Sequence, residues 1–311
     1  MRALVVSNML ADAAHPERGA FVRDQVAALR GLDGVEVELH EFPPGARSLA
    51  RAAGELRRRY RASGFDVVHA HFGLTAWPAL TVPAPVRALT LHGTDLAHPR
   101  TRLATLAVLP RIDLLATVSQ ALKAELPRRA GARAQVLPCG VDLNRFRPFE
   151  RRQARAELGL SPDGPYLLFA ADPARPEKRH DRALELAALA GAELLTLGAI
   201  EPGRVALWVN AANAVLVPSE REGFGLAVLE ALACDVPVLA TPVGIHPEAL
   251  AGVEGGLCAA YDPAVWLAAL EPHLRGADPR VAGRASAERF SAMRTAATVA
   301  GAWEAALGRS G

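Results

Sequence analysis

Short apolar runs alternate with longer segments of helical period along almost the whole chain, and this alternation constrains the fold most strongly. The first three predicted strands are Ala3 to Ser7, Val35 to Glu41 and Asp66 to Ala70, and segments of helical period separate them. Strands that are buried on both faces read as continuous apolar runs, and a helix between two such strands makes them parallel. The pattern therefore predicts βαβ units and an α/β protein.

The same alternation resumes after a turn-rich stretch from Pro138 to Phe149. Further strands are predicted at Ala88 to Leu91, Leu114 to Val118, Ala134 to Leu137, Tyr166 to Ala170, Glu193 to Leu197, Ala214 to Pro218 and Val236 to Ala240. We expect two Rossmann-like, doubly wound parallel-sheet domains that face each other across a cleft. Their predicted ranges are 1–148 and 149–283, and one helix from Arg284 to Leu307 within the segment 284–311 is expected to pack back on the first domain.

Composition excludes several classes of function. The chain has 311 residues, half of them apolar, and a formal net charge of +2, which makes nucleic acid a poor partner. Its three cysteines, Cys139, Cys234 and Cys258, are widely spaced and form no CxxC pair, so a reducing cytoplasm suits them. No apolar run approaches the roughly 18 residues of a spanning helix, so any membrane contact is expected to be peripheral.

Two cations follow the first predicted strand of the second domain. The loop Ala171 to Arg179 carries Arg175 and Lys178 ahead of a helix, and Lys178 is one of two lysines in the chain, the other being Lys123. Cations beside a helix start suit a diphosphate, whose negative charge they neutralise. A solvated basic turn is the alternative.

Two glutamates lie on either side of the start of a later helix. Glu222 and Glu230 are separated by seven residues, directly after the strand from Ala214 to Pro218, and the intervening segment includes Gly223 and Gly225. Glycines allow a ligand to approach backbone N–H groups, and carboxylates accept hydrogen bonds from sugar or ribose hydroxyls. Either glutamate alone would read as an ordinary surface charge, but the spacing and the glycines favour a ligand site.

This glutamate pair resembles the signature of family 4 glycosyltransferases with the GT-B fold. The resemblance extends over most of the chain and rests on these segments: Val5 to Met9, Arg18 to Val22, Asp66 to His71, Thr90 to Asp95, Thr117 to Ser119 and Leu137 to Asp142. In detail the chain is most similar to the teichuronic acid biosynthesis glycosyltransferase group, on Phe169 to Pro173, Lys178-Arg179 and Leu207 to Ala212.

The resemblance implies a role for each matching residue. Arg175 and Lys178 would hold the donor diphosphate, Glu230 the ribose, and Glu222 would lie near the transferred sugar. Backbone groups would contact sugar and phosphate at Gly223, Phe224, Gly225 and Leu226. In the first domain, Gly19 would let its loop approach the diphosphate and His92 would hydrogen-bond a donor sugar hydroxyl.

Three further features qualify the interpretation. His69 and His71 could bind a metal in principle, but no third ligand is evident, so we predict a packed, hydrogen-bonded pair and no metal or other cofactor. The arginine-rich helix from Arg47 to Arg61 is either a membrane-surface element or a solvated outer helix. The stretch from Gly198 to Ala212 is shorter than in most family members, which leaves the nucleotide base unassigned.

The predicted function is that of a retaining glycosyltransferase. It would move a sugar from a nucleotide diphosphate sugar to a glycan or lipid-linked acceptor in the synthesis of cell-envelope polysaccharide or glycoconjugate. One alternative is another enzyme with this fold, such as a nucleotide-sugar epimerase. The other is a noncatalytic protein that binds a nucleotide sugar as part of an envelope assembly. A nicotinamide dehydrogenase is disfavoured because no GxGxxG turn follows the first strand.

Overall fold

The computed structural model describes residues 1–275 and 278–309. The chain forms two compact units. One is Met1–Gly140 together with the segment that begins at Ala292, and the other is Val141–Ser291. Each unit contains a parallel sheet with helices packed on it. The predicted α/β class with two Rossmann-like domains is therefore confirmed, whereas the acceptor and donor roles of the domains stay predictions.

The strands lie close to their predicted positions. In chain order they are β1 (Arg2–Ser7), β2 (Glu36–Glu41), β3 (Val67–His71), β4 (Val86–Leu91), β5 (Leu114–Thr117), β6 (Gln135–Val136), β7 (Tyr166–Phe169), β8 (Glu193–Thr196), β9 (Ala214–Val217), β10 (Val238–Ala240) and β11 (Leu257–Cys258). The strand β11 was not predicted, because its two residues are too few to establish a strand pattern.

The α-helices connect these strands and cover the sheets. In chain order they are α1 (Ala20–Arg30), α2 (Ala46–Arg59), α3 (Ala76–Ala79), α4 (Thr94–Ala97), α5 (Pro99–Val108), α6 (Gln120–Ala124), α7 (Arg128–Arg133), α8 (Arg151–Leu158), α9 (His180–Ala190), α10 (Val205–Ala211), α11 (Leu226–Ala233), α12 (His246–Leu250), α13 (Pro263–Leu274), α14 (Arg284–Glu288) and α15 (Ala292–Leu307).

The sheet of the first unit has the strand order β2-β1-β3-β4-β5-β6. Its apolar side chains pack against α1 and α15. In α15 the buried residues Ala296, Val299 and Trp303 recur at helical spacing and join Val22 and Val26 of α1 in one core. Complete burial of an apolar side chain stabilises the folded state by about 1.5 to 3 kcal/mol. The packing of α15 against the sheet therefore contributes to the stability of this unit.

The sheet of the second unit has the order β11-β10-β9-β7-β8. Leu167 and Phe169 of β7 and Leu216 of β9 pack with Leu186 of α9 and Trp266 of α13. The chain order reverses between the neighbouring strands β7 and β9. In open α/β sheets, ligands bind beyond the carboxyl ends of the strands at such a reversal, so the loops after β7 and β9 are the first place to look for a site.

The prediction of one continuous helix from Arg284 to Leu307 is wrong. The structure separates α14 from α15 between Arg289 and Ser291. At this break the carbonyl of Phe290 accepts a hydrogen bond of 2.9 Å from the backbone N–H of Val141, and Ser291 forms a parallel bridge with the same residue. Backbone pairing with a second segment replaces the helical bonds that the periodicity alone predicts.

Within residues 1–275 and 278–309, no helix combines the length and the apolar character that crossing a bilayer requires.

Candidate active site

Two loops of the second unit meet at the reversal point of its sheet. One follows β7 and carries Lys178, and the other follows β9 and carries Glu222. The backbone N–H of Glu220 donates to the carbonyl of Glu177 at 2.9 Å. The two loops are therefore tied together through their main chains, next to the residues that the sequence predicts to bind a ligand.

Lys178 and Glu222 form a close ion pair. The ammonium nitrogen of Lys178 donates to both carboxylate oxygens of Glu222 at 2.6 Å each, and the hydroxyl of Ser219 donates to Oε1 at 2.8 Å. The two charged side chains are only 13% and 8% exposed. An ammonium has three donor positions, so this contact uses two of them and fixes the cation at the carboxyl end of the sheet.

The environment keeps Glu222 ionised. Burial raises the pKa of its carboxyl group, but the charge of Lys178 and its hydrogen bond act in the opposite direction, with smaller help from His246 and Ser219. The resulting pKa lies below the ordinary value of 4.5. At neutral pH the site therefore presents a cation and an anion in fixed geometry.

The start of α11 packs tightly against a buried histidine. Gly225 caps this helix with φ +103°, and a Cβ atom at this position would lie 2.4 Å from Nε2 of His246. Nδ1 of His246 donates to the carbonyl of Thr241 at 2.8 Å, which leaves Nε2 as the unprotonated ring nitrogen. Both the backbone angle and this close approach require glycine at position 225.

The remaining donor-site candidates lie along the same segment. Leu226 is the first residue of α11 and Glu230 follows one turn later, where its side chain is half-buried and has contacts of its own. Phe224 is buried and packs edge to face on Phe290 with ring centroids 6.2 Å apart. Gly223 joins it to Glu222. The structure thus gathers the carboxylate, the lysine and the helix start that the spacing predicts.

Arg175 lies in a different setting from Lys178. Its side chain is 49% exposed, and its guanidinium donates to Oε1 of Glu177 through Nε at 2.9 Å and Nη2 at 2.6 Å. Arg179, with φ +57°, instead pairs with Asp181 and Glu220. The predicted contact of Arg175 with a diphosphate stays a prediction.

The other two candidates belong to the first unit. Gly19 caps α1 with φ +70°, and a Cβ atom there would lie 2.4 Å from the carbonyl oxygen of Met9. The fold of the loop after β1 therefore requires this glycine, and its proposed approach to a diphosphate is a separate prediction. His92 follows β4, where its ring contacts those of Phe21 and Phe72, with centroids 4.9 and 4.6 Å away.

Sequence reasoning missed two residues of the second-unit site. Ser219 lies two residues beyond the end of β9, at the carboxyl end of a strand, which is a signal that could have identified it. His246, the first residue of α12, is fully buried beneath Gly225, and no pattern in the sequence marks it. In the described residues no group of three His, Cys, Asp or Glu side chains is arranged to hold a metal ion.

Two family profiles match the chain. The profile described as Glycosyltransferase Family 4 matches residues 5–145, and the profile described as Glycosyl transferases group 1 matches residues 166–275. The chain is 32% identical to the D-inositol 3-phosphate glycosyltransferase of Actinosynnema mirum, over 92% of this chain and 82% of that protein. That relative is named for D-inositol 3-phosphate, so the comparison supports the glycosyltransferase family but not the more detailed resemblance to the teichuronic acid group.

Solved structures share the fold at low sequence identity. The sucrose-phosphate synthase of Thermosynechococcus elongatus has a TM-score of 0.74 and 20% identity, with 98% of each chain covered. The Anabaena protein HepE, solved in complex with UDP and glucose, has a TM-score of 0.70 and 15% identity, with 97% of this chain and 99% of that chain covered. These two structural similarities support the GT-B fold and nothing beyond it.

Proposed function

The chain belongs to the glycosyltransferases that join a family 4 domain to a group 1 domain, and we propose that it uses a nucleotide diphosphate sugar and retains the sugar's anomeric configuration. The observation that carries the proposal is the buried pair of Lys178 and Glu222 beside the start of α11. A held cation and the N–H groups of a helix start both stabilise negative charge, and this charge builds up on a diphosphate as it leaves.

We assign roles to the residues on this basis. Lys178 neutralises the leaving diphosphate, with Arg175 as the second cation, and Glu230 binds the ribose. Glu222 orients Lys178 and lies near the transferred sugar, whose hydroxyls donate to its carboxylate. Backbone N–H groups from Gly223 to Leu226 complete the contacts. Because the leaving diphosphate can accept the acceptor's proton on the same face of the sugar, the reaction needs no separate side-chain base.

The first unit supplies the remaining contacts in the proposal. His92 donates a hydrogen bond to a hydroxyl of the donor sugar, and the loop that Gly19 turns approaches the diphosphate. The proposed reaction requires no cofactor. The nucleotide diphosphate sugar is a co-substrate. Its base is left open, because the stretch from Gly198 to Ala212 has no feature that selects one.

The acceptor is proposed to be a glycan or lipid-linked molecule of envelope polysaccharide or glycoconjugate synthesis at the cytoplasmic face of the membrane. The surface of α2 supports a peripheral contact. Arg47, Arg51 and Arg58 are exposed and lie within about 40° of one another on the helix at 3.6 residues per turn. A second candidate acceptor, D-inositol 3-phosphate, has the support of the relative's name.

A binding panel tests the donor half of the proposal. Purified protein is exposed to a series of nucleotide diphosphate sugars and its thermal shift is measured, since a ligand of the native state raises stability by mass action. The panel is repeated with Lys178→Ala, Glu230→Ala and Arg175→Ala. Lys123→Ala, which removes the other lysine from α6, is the matched control.

We expect one donor to stabilise the wild type and the control, and to lose this effect in the Lys178 and Glu230 variants. A full thermal shift in the Arg175 variant would show that Arg175 does not contribute to donor binding. The roles assigned to the other residues would be unaffected. No shift with any donor would contradict the proposal. Turnover of the donor with no acceptor present would instead favour an epimerase, and binding with no turnover a noncatalytic binding protein.

A further inference from the structure

Three histidine rings are stacked in a row in the first unit. His69 and His71 project from β3, and His92 follows the adjacent strand β4. The ring centroids of His69 and His71 are 4.8 Å apart, and those of His71 and His92 are 5.1 Å apart. His69 and His71 are buried, whereas His92 is half-buried. The row thus leads from the core of the unit to the proposed sugar-binding histidine.

The inner end of the row has a fixed protonation pattern. The indole N–H of Trp303 donates to Nδ1 of His69 at 3.1 Å, and an indole can only donate. Nδ1 of His69 is therefore the acceptor, and its proton resides on Nε2. That Nε2–H donates to the hydroxyl of Thr90 at 2.8 Å. Both nitrogens of His69 are satisfied, and one tautomer is selected.

At the outer end of the row, one hydrogen bond joins the rings of His71 and His92. Nδ1 of His71 lies 2.9 Å from Nε2 of His92, so one of these nitrogens donates to the other. Nε2 of His71 is buried without a hydrogen-bond partner among the described residues. A proton on that atom would leave a buried donor unsatisfied, which is rare in folded proteins. The favoured arrangement places the proton of His71 on Nδ1, where it is donated to His92.

The backbone of His92 is held independently of its ring. The buried carboxylate of Asp95 accepts the N–H of His92 at 2.6 Å, the N–H of Gly73 at 2.5 Å and the N–H of Gly93 at 3.2 Å. With main chain and ring both restrained, rotation of the imidazole would break the contact with His71. The position of the remaining ring nitrogen, Nδ1, is therefore defined.

The surroundings keep the row uncharged. Burial lowers the pKa of His71 to about 3. It also lowers the pKa of His92 well below 6.5, and the neighbouring histidines act in the same direction. Each ring therefore carries one proton at neutral pH, so the choice between Nδ1 and Nε2 decides whether a ring nitrogen donates or accepts.

We propose that His71 is a positioning residue that donates its Nδ1–H to Nε2 of His92 and thereby fixes His92 as the tautomer with its proton on Nδ1. The inference rests on the proposed function, in which His92 donates to a hydroxyl of the donor sugar. His71 ensures that the nitrogen left for the sugar carries a proton. Without it, His92 samples both tautomers, and a fraction of the molecules presents an acceptor instead of a donor.

The protonation pattern is measurable without any activity. Protein labelled with ¹⁵N-histidine is studied by long-range proton–nitrogen correlation, which distinguishes the two neutral tautomers, and the signals of His92 are identified by their loss in His92→Gln. We expect the Nδ1–H tautomer for His92 and the Nε2–H tautomer for His69. A proton on Nε2 of His92 in the wild type would overturn the proposal, whatever the enzyme does with its substrates.

Kinetics of matched amide variants test the functional consequence. His71→Asn places an amide where Nδ1 lies, whereas His71→Gln places it near Nε2. We expect the asparagine variant to keep most of kcat. The glutamine variant and His71→Leu should lose on the order of 10-fold to 100-fold in kcat, as expected for a misplaced reacting group, with a smaller change in the donor's KM. Equal losses in all three variants would overturn the positioning role.

Trp303→Phe controls for damage to the core, because it removes the hydrogen bond to His69 and leaves the contact between His71 and His92. We expect lower thermal stability with kcat near that of the wild type. Failure of the proposed function looks different, since the wild type would then transfer no sugar from any donor while the tautomer of His92 would still be the one expected.

Discussion

The ammonium group of Lys178 binds both carboxylate oxygens of Glu222 across 44 positions of sequence, at 2.6 Å each. This contact joins the loop after β7 to the loop after β9, at the point where the strand order of the second sheet reverses. One interaction therefore fixes the shape of the proposed donor site and also sets its charge. The two contributions are separable by experiment.

Removal of one member of this pair should destabilise the second unit more than removal of both. Lys178→Met leaves a carboxylate that is 8% exposed without its cation, and breaking such a buried pair costs about 3 kcal/mol. Lys178→Met combined with Glu222→Leu removes both charges and should restore most of the stability. Scanning calorimetry of the three proteins measures this, and equal destabilisation in the single and double variants would contradict the account.

Substitution of Gly225 should be costly for two separate reasons. Gly225→Ala forces an alanine to φ +103° and places its Cβ 2.4 Å from Nε2 of His246. We expect a loss of about 2 to 4 kcal/mol, the sum of backbone strain and overpacking. Gly159→Ala is the control, because Gly159 has φ +70° and no atom within 4 Å of the added Cβ. It should cost about 1 kcal/mol.

A third variant isolates the steric part of that loss. His246→Ala in the Gly225→Ala background removes the clash and leaves the backbone strain, so the double variant should recover part of the lost stability. If Gly225→Ala proves as mild as Gly159→Ala in thermal unfolding, the close packing of His246 on the start of α11 is wrong.

Acid should weaken the first unit through its histidine row. Burial lowers the pKa values of His69, His71 and His92 in the folded chain, so between those values and the ordinary 6.5 the unfolded chain binds more protons. The stabilisation is fully present above 6.5 and is lost as pH falls, in the case of His71 toward about 3.

The size of this effect is measurable by urea unfolding between about pH 7 and about pH 5. Each histidine contributes a slope of up to about 1.4 kcal/mol per pH unit. His71→Leu should therefore make the free energy of unfolding less dependent on pH. A slope that is the same in the wild type and in His71→Leu would contradict the neutral, buried row.

Charge reversal on α2 should weaken binding to anionic lipid. Arg51→Glu with Arg58→Glu changes two exposed residues of its outer face, and each basic residue near such a surface contributes about 1 kcal/mol. We expect binding to phosphatidylglycerol vesicles to weaken by about ten-fold or more in a flotation assay. Arg128→Glu with Arg129→Glu alters the net charge equally in α7 and should have little effect. Equal losses would point to net charge instead of α2.

Much of this structure follows from the sequence, for identifiable reasons. Buried strands are recognisable in a sequence as apolar runs. For this reason β1, β7 and β9 begin at the predicted residues or next to them. Glu222 and Glu230 follow a strand and have glycines between them. This pattern indicates the start of a helix, because glycine adopts the backbone angles that such a start requires. These features are local, and local patterns are what a single sequence displays.

The contacts that depend on distant residues were not predictable. No pattern in the sequence shows that His71 meets His92 or that His246 packs under Gly225. The helix α4 was not predicted because its four residues are too few to establish a period, and α5 was not predicted because only Thr105 and Val108 of its ten residues are buried. The interruption between α14 and α15 arises from backbone pairing with Val141, a residue about 150 positions away by the chain order.

The most direct test of the central claim is the stereochemistry of a single transfer reaction. The donor selected by the binding panel is incubated with D-inositol 3-phosphate and, separately, with a lipid-linked glycan primer. Release of nucleoside diphosphate is recorded with and without acceptor, and the anomeric configuration of the product is determined by NMR. We predict release that depends on one acceptor, a product with the configuration of the donor, and no product with Lys178→Ala. An inverted product, or donor binding without transfer to either acceptor, would contradict the account.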